Sequence, residues 1–145
     1  MSNRSRSLGQ LVKAVHTAEQ NLSALINRAL APMGISRSQL SVLARFSTQP
    51  NKSQSITSLV AGVDMNQPAV TKIVGYLIEK EWLISEADPS DARKKSLYLT
   101  PDGLGVVIKA YSVLTPVIDE AFEEFEDEAV QELLLKLNQF NNHRG

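Results

Sequence analysis

The sequence contains no cysteine and only two histidines among its 145 residues. Without cysteine the chain has no disulfide, no thiolate-bound metal and no thiol redox switch. His16 lies in an amphipathic segment near Glu19, and His143 lies in a polar tail; in both places a solvated imidazole is expected rather than a metal ligand or a base. Because a phosphate-binding glycine loop and a nucleophile motif are also missing, the sequence predicts no enzyme, no metal site and no bound cofactor.

Long hydrophobic runs are missing as well. No apolar segment approaches the roughly 20 residues that span a bilayer. Lys13 and His16 interrupt the apolar region nearest the N-terminus, so neither a membrane span nor a secretory signal is expected. A length of 145 residues with 43% hydrophobic content instead predicts one soluble domain over residues 1–145.

The chain also lacks an excess of positive charge, since its net charge is -1. The charges are nevertheless separated along the sequence. Residues 1–35 hold four cations and one acid, residues 36–100 hold eight cations and six acids, and residues 101–145 hold three cations and nine acids. Exposed charges farther apart than a Debye length are largely screened from each other, so residues 36–100 can still attract an anionic partner.

Residues 55–80 have the pattern of a helix-turn-helix. Ile56, Leu59 and Val60 are spaced as on one face of a short helix, which residues 62–65 end. Asn66 is a favoured N-cap residue, and Pro68 is tolerated in the first turn of the helix that follows. This second helix should bury one apolar stripe against the core. The stripe consists of Val70, Ile73, Val74 and Leu77.

The opposite face of the second helix is suited to reading DNA. It carries Gln67, Thr71, Lys72 and Gly75. Glutamine can bond adenine through two contacts, threonine can touch a thymine methyl or a phosphate, and lysine can reach guanine or phosphate. The missing side chain at Gly75 permits a close approach to a backbone. A merely solvated polar face, which most amphipathic helices have, is the alternative interpretation.

A cationic hairpin follows over residues 88–103. Its tip is acidic and turn-forming, and three consecutive cations come next: Arg93, Lys94 and Lys95. A guanidinium stays charged and offers several donors to phosphates or groove edges, which favours a DNA contact at Arg93. Asp91 can hold this guanidinium in one orientation, so that less freedom is lost on binding. The alternative is an ordinary solvated hairpin with a surface ion pair.

In this order the features resemble the MarR family (multiple antibiotic resistance regulators). The resemblance covers nearly the whole chain, and its specific element is Asp-x-Arg followed by Leu-Thr-x-x-Gly. The segments that carry it are Pro68-Ala-Val-Thr-Lys72, Leu77-Ile-Glu-Lys80, Asp88-Pro-Ser-Asp-Ala-Arg93 and Leu97-Tyr-Leu-Thr-Pro-Asp-Gly103. The chain departs from the family pattern in two places. Glu81 and Trp82 stand where a glycine commonly follows the recognition helix, and Ser85 and Glu86 stand where a basic residue often enters the wing.

The resemblance implies a mainly α fold with a small β-hairpin wing. Residues 36–100 would form the winged helix-turn-helix, and residues 1–35 and 101–145 would supply dimerisation helices. The implied protein is a homodimeric repressor that binds a pseudo-palindromic operator in double-stranded DNA, responds to a small-molecule effector, and acts in a bacterial or archaeal cytosol on the nucleoid. The expected DNA-binding residues are Asn66, Gln67, Pro68, Thr71, Lys72, Gly75, Arg93, Lys94 and Lys95, with Asp91 orienting the wing arginine.

A second function stays open, because Ser85 and Glu86 remove positive charge from the wing. The alternative is a winged-helix protein–protein adaptor that has lost DNA binding. Thiol oxidation as the releasing signal is excluded in either case by the absence of cysteine.

The flanking segments read as helices. One is predicted over residues 8–31 and ends at Pro32 and Gly34. Ser36 and Gln39 form a capping-box pattern for another, which should stop near Pro50. Thr100 should cap a long helix that Pro116 kinks, and a last helix should begin at about Asp127. The apolar stripe expected on the long helix is Leu104, Val107, Ile108, Tyr111, Leu114, Ile118, Phe122 and Phe125.

These terminal helices are the expected dimer interface. These helices carry more apolar residues than the DNA-reading region (the reading head, residues 36–100) can cover. An exposed apolar patch of several hundred Å² is unusual on a soluble monomer. The alternative is that the stripes pack only within one chain. A two-fold dimer would present its reading heads to successive major grooves about 34 Å apart.

Overall fold

The computed structural model describes residues 2–91 and 93–144. Over these ranges the chain is mainly helical, with one two-stranded antiparallel hairpin, as expected from the sequence. Within the described part, no helix is both long and apolar enough for a membrane span. The elements in chain order are α1 (Asn3–Leu30), a 3-10 turn (Ala31–Met33), α2 (Arg37–Ala44), α3 (Ile56–Gly62), α4 (Gln67–Glu79), β1 (Leu83–Ala87), β2 (Lys95–Leu99), α5 (Pro101–Ala121) and α6 (Asp127–Arg144).

One apolar core lies beneath α2, α3, α4 and the hairpin. The end of α1 and the first half of α5 close it from the other side, and no polar side chain of the described residues is buried in it. Apolar burial of this kind is the main favourable term in folding, and it fixes the four elements around a common centre. The buried residues are Leu30, Ile35, Leu40, Val42, Leu43, Phe46, Leu59, Val70, Val74, Leu77, Leu83, Leu97, Val107 and Ala110.

Side-chain caps set where the helices start. Ser36 accepts a hydrogen bond from the backbone N–H of Gln39, whose side chain accepts one from Ser36 in return. Asn66 caps α4 and Thr100 caps α5 in the same way, each accepting from the N–H three residues later. The capping box and both start signals predicted from the sequence are therefore confirmed, because each depends only on residues that are close along the chain.

Two helix boundaries differ from the predicted ones. Helix α1 begins at Asn3, not at residue 8, because Ser2 caps its first turn. This turn buries no side chain, so the sequence shows no hydrophobic period there. Helix α2 ends at Ala44 and not near Pro50, since the chain continues in tight turns. Phe46 lies in one of those turns and is fully buried, so it continues the apolar pattern of α2 although it is outside the helix.

The predicted stripe of α5 is partly wrong. Ile108 and Tyr111 are 62% and 51% exposed. Val107 is buried as predicted, and the other buried residues of α5 are the small Gly103 and Ala110. Helix α5 contacts both α1 and α2, and at Gly103 it approaches the Trp82 backbone closely. The predicted stripe also ran past the end of the helix, since α5 stops at Ala121. Helix α5 continues through Pro116, and the kink expected there stays a prediction.

Beyond α5 the chain turns sharply into α6. Phe122 caps α5, and its ring packs edge-on against Phe125 with the centroids 5.8 Å apart. Helix α6 then begins at Asp127, as predicted, but buries no residue against the rest of the chain. Its apolar side chains are therefore exposed in the single chain.

The hairpin is anchored on both sides. Leu83 pairs with Leu99 at its base and Ala87 pairs with Lys95 near its tip. On the other edge of β2, Gln54 exchanges two backbone hydrogen bonds with Leu97, of 2.9 and 3.0 Å. This bridge ties the loop before α3 to the hairpin and so fixes the distance between the hairpin and the helix-turn-helix.

Candidate nucleic-acid interface

Helix α4 has one buried face and one open face. Val70, Val74 and Leu77 are buried, whereas Ile73 is half-buried. The residues predicted to contact DNA all lie outside the core and are exposed. They are Asn66, Gln67, Pro68, Thr71, Lys72 and Gly75.

Gly75 leaves space on this open face. A β-carbon built there would meet no atom within 4 Å. The glycine is therefore not required by packing within the chain. Its position is open enough for a partner's backbone to approach closely, as the sequence suggested.

The tip of the hairpin is a network of short-range hydrogen bonds. The carboxylate of Asp88 accepts from the hydroxyl of Ser90 at 2.6 Å and from its N–H at 2.8 Å. These two bonds are the main reason why the pKa of Asp88 lies below its ordinary value. The Asp88 N–H donates to the Lys94 carbonyl at 3.0 Å and closes the turn. Ala92, within the Asp-Pro-Ser-Asp-Ala-Arg motif, lies outside the described residues.

Asp91 contacts Arg93 as its predicted orienting role requires. One carboxylate oxygen, Oδ1, accepts from the Arg93 backbone N–H at 3.0 Å and from the side-chain Nε at 3.2 Å. The arginine side chain is 91% exposed. The contact uses Nε, and the two terminal guanidinium nitrogens bond none of the described residues. That the pair serves DNA binding remains a proposal.

The wing and the recognition helix share a hollow of about 710 Å³. Gln67 lines it from α4, and Lys94 and Lys95 line it from the wing, so the fold brings these three predicted residues together. Asp88 also reaches its edge. Arg93 and Lys72 do not line it: Arg93 is at the wing tip, and Lys72 lies beside Gln67, Pro68 and Thr71 on a second hollow of α4.

Two hydroxyl residues that the sequence analysis missed also line the shared hollow. Ser55 caps α3 through the N–H of Ser58, and Thr57 lies in the first turn of that helix; both are exposed. Hydroxyl groups and helix starts are common phosphate contacts. Their sequence signal was the cap at Ser55, but only the bridge between Gln54 and Leu97 brings it beside the wing.

The departures from the MarR pattern lie at the start of the wing. Glu81 has a φ of +64°, in the left-handed region that favours glycine. Ser85 and Glu86 are exposed on β1, opposite Leu97 and Ser96. Glu86 therefore places one negative charge on the arm that faces the cationic strand.

Helices α1 and α6 expose apolar side chains away from this interface. These exposed side chains are not part of the core, and α6 buries none of its residues within the chain. A helix that is not packed on its own chain normally requires another surface to cover its apolar face. The exposed residues are Leu8, Leu11, Val12 and Val15 on α1 and Val130, Leu133, Leu134, Leu135, Leu137 and Phe140 on α6.

A helix-turn-helix with an open polar second helix and a cationic hairpin beside it defines a winged helix-turn-helix protein. Residues 35–95 match the model of the MarR family. No curated protein matches the chain. The match covers α2, α3, α4, β1 and the first residue of β2, so the helix-turn-helix and most of the wing are similar to the MarR family.

Solved structures have the same architecture over nearly the whole chain. The transcriptional regulator BldR from Sulfolobus solfataricus is 26% identical, with a TM-score of 0.82 and coverage of 99% of both chains. A mutant MarR from E. coli complexed with operator DNA is 20% identical, with a TM-score of 0.83 and coverage of 96% of this chain and 99% of that one. BpsR of Bordetella bronchiseptica, whose DNA binding is regulated by 6-hydroxynicotinic acid, is 20% identical, with a TM-score of 0.81 and coverage of 91% and 98%.

Proposed function

We propose that this protein is a sequence-specific double-stranded DNA-binding transcriptional regulator, and specifically a ligand-responsive homodimeric repressor. The observation that carries the proposal is the shared hollow, where Gln67 of the recognition helix meets Lys94 and Lys95 of the wing. An amide suited to a base edge and two cations suited to phosphates thus lie on one surface. The likeness in fold to a mutant MarR complexed with operator DNA supports DNA binding as well. Such a regulator acts in the cytosol, on the nucleoid.

The contacts divide into reading and positioning. Gln67 and Thr71 are assigned to base edges, because they project from the exposed start of α4. Lys94 and Lys95 are assigned to phosphates, and Arg93 at the wing tip to the adjacent groove. Asn66, Pro68 and Gly75 set the start and the open surface of the helix, which lets it approach the duplex closely.

Dimerisation follows from the exposed apolar faces of α1 and α6. Two copies would cover these faces and hold two reading heads in a two-fold arrangement. The centres of the half-sites would then lie one helical turn, about 34 Å, apart, and the operator would be pseudo-palindromic. Size-exclusion chromatography with light scattering should give a dimer mass for the purified chain.

The effector site is best placed in a hollow of about 470 Å³ between α2, the following loop, α3 and α5. Arg45, Lys52 and the exposed Tyr111 line it, together with several hydroxyl and amide groups and no acid. The Arg45 guanidinium lies against Gly62, in the space that a β-carbon would fill. Two cations and an aromatic ring suit a small aromatic anion.

Calorimetric titration with a series of small aromatic carboxylates tests this effector site, and 6-hydroxynicotinic acid is a suitable first member. Binding that weakens on Arg45→Ala, and that lowers DNA affinity without dissociating the dimer, supports it. A series in which binding is unaffected by Arg45→Ala contradicts this placement of the site.

Selection from a random duplex library tests DNA binding itself. The purified dimer should enrich a pseudo-palindrome whose half-sites are one helical turn apart, and its affinity should fall as salt rises. Enrichment of no sequence would overturn the proposal and favour the adaptor alternative. Lys72→Ala should weaken binding and lower the salt slope by about 1 if Lys72 contacts phosphate. Lys109→Ala, an exposed change on α5, is the matched control and should do neither.

A further inference from the structure

Tyr76 links the recognition helix to the segment that follows α1. Its hydroxyl donates a hydrogen bond to the carbonyl oxygen of Gly34, which is 42 residues away in sequence. Gly34 ends the 3-10 turn after α1 with a φ of +71°. The tyrosine is half-buried and lies one helical turn after Lys72, at the border between the open face and the core. Because its hydroxyl is bonded to Gly34, it is placed to orient α4.

The same ring contacts the base of the wing. It packs edge-on against Trp82, with the centroids 6.3 Å apart and the planes at 74°. Trp82 directly precedes β1, and its carbonyl accepts a hydrogen bond from the Thr100 N–H at 3.1 Å, where α5 begins. Lys80 places its Nζ 5.6 Å from the centre of the Tyr76 ring. One side chain thus connects the recognition helix, the wing base and the end of α1.

The segment on the other side of this link is itself fixed to α1. The Arg37 backbone N–H, at the start of α2, donates to the Asn27 side-chain oxygen at 2.7 Å. The Arg37 guanidinium donates to the carboxylate of Glu19 at 2.5 Å. Both acceptors are on α1. The end of α1 and the start of α2 are therefore held together by polar contacts, and any shift of α1 carries this connection with it.

The hydroxyl bond is suited to orientation more than to stability. Helix α4 already packs through the buried side chains of Val70, Val74 and Leu77. Apolar packing is non-directional, whereas a hydrogen bond weakens steeply when its angle changes. The hydrogen bond between Tyr76 and Gly34 is therefore a directional link between α4 and the segment that follows α1.

We propose that Tyr76 is a positioning residue that transmits the position of α1 to the recognition helix and thereby sets the half-site spacing that the dimer accepts. This inference rests on the proposed DNA-binding function. When α1 moves at the dimer interface, the segment that follows it moves as well. The hydrogen bond from Tyr76 to Gly34 then moves α4 in the same direction. Removing the bond should let α4 adjust independently in each reading head.

The test is Tyr76→Phe, which removes the hydroxyl and keeps the ring against Trp82. Dissociation constants are measured on the selected operator, on the same operator with one base pair inserted or removed between the half-sites, and on a single half-site. For the wild type, altered spacing should weaken binding strongly, since one base pair moves a half-site by about 3.4 Å and rotates it. In the variant, affinity for the native spacing should fall by about 2- to 10-fold, the effect of one hydrogen bond, and discrimination between spacings should shrink.

Single half-site affinity and the urea midpoint should stay near the wild-type values, which separates positioning from a general loss of structure. Tyr98→Phe is the control, because that hydroxyl, on β2, bonds none of the described residues; it should change nothing. Unchanged discrimination between spacings in Tyr76→Phe would overturn the inference while the proposed function stands. An equal loss on all DNAs, including the half-site, would also overturn it. A wild type that selects no DNA would overturn both.

Discussion

The main-chain oxygen of Trp82 occupies the place where a β-carbon on residue 103 would stand. Leu99 Cδ1 is only 2.8 Å from the same point. The Gly103 N–H is held there by the Thr100 side chain at 2.9 Å, and the Thr100 hydroxyl donates to the Glu81 carbonyl at 2.7 Å. Glycine is therefore required at the last position of the Leu-Thr-x-x-Gly motif, because the first turn of α5 packs directly against the Trp82 backbone that precedes β1.

Gly103→Ala should destabilise the protein. The added methyl group must displace backbone and not the end of a flexible side chain, and such overpacking costs about 1–3 kcal/mol. The free energy of unfolding, measured in urea at fixed protein concentration, checks this. Gly105→Ala is the matched control, since a β-carbon there meets nothing within 4 Å and alanine favours a helix by up to about 1 kcal/mol. Equal effects of the two changes would contradict the account of the motif.

Glu81→Gly should leave the stability unchanged or raise it by up to about 1 kcal/mol. The left-handed conformation costs a residue with a side chain about 1–2 kcal/mol, whereas glycine adds about 0.4–1 kcal/mol of chain entropy to the unfolded state. Glu79→Gly removes the same charge from the last turn of α4 and should destabilise by about 1 kcal/mol. A Glu81 variant that loses as much as the Glu79 variant would show that the backbone conformation at residue 81 carries no strain.

Local features of this fold could be predicted from the sequence, and contacts between distant segments could not. The caps at Ser36, Asn66 and Thr100 involve residues three apart, so their patterns are visible in one short window. The same holds for the buried stripe of α4. Exposure of Ile108 and Tyr111 depends on how α1 and α2 approach α5, which no periodicity along α5 contains.

The candidate site shows the same division. Gln67, Lys94 and Lys95 could be chosen by residue type and position, but their meeting in one hollow requires the bridge between Gln54 and Leu97. That bridge also brings Ser55 and Thr57 into the hollow, which is why the sequence alone missed them. The contact between Tyr76 and Gly34 joins segments 42 residues apart and leaves no sequence motif.

Arg93→Ala should weaken operator binding and leave the fold intact. The side chain is 91% exposed, so its removal leaves no buried group without a partner. Loss of a groove contact should cost about 1–3 kcal/mol of affinity. Fluorescence anisotropy on the selected operator at fixed salt measures the change, with circular dichroism to check the fold.

Asp91→Ala should weaken binding less than Arg93→Ala, because Asp91 acts through the orientation of Arg93. Its carboxylate bonds both the Arg93 backbone N–H and Nε, so the change frees the wing tip without removing the cation. In the double variant the Asp91 change should add nothing further.

An unchanged dissociation constant in Arg93→Ala would remove the wing tip from the DNA interface.

Peroxide should not release this protein rapidly from its operator. The chain has no cysteine, so direct thiol oxidation is excluded, and a small molecule that distinguishes the bound from the released conformation remains as the switch. Anisotropy after peroxide addition, followed by dithiothreitol, checks this: rapid release that the thiol reverses would contradict the thiol-free mechanism. Slow loss of DNA binding through oxidation of Met33 or Met65, both half-buried, would not contradict it, because dithiothreitol does not readily reverse methionine oxidation.

An aromatic anion that lowers operator affinity in the same assay, while light scattering still gives a dimer, would support ligand control instead.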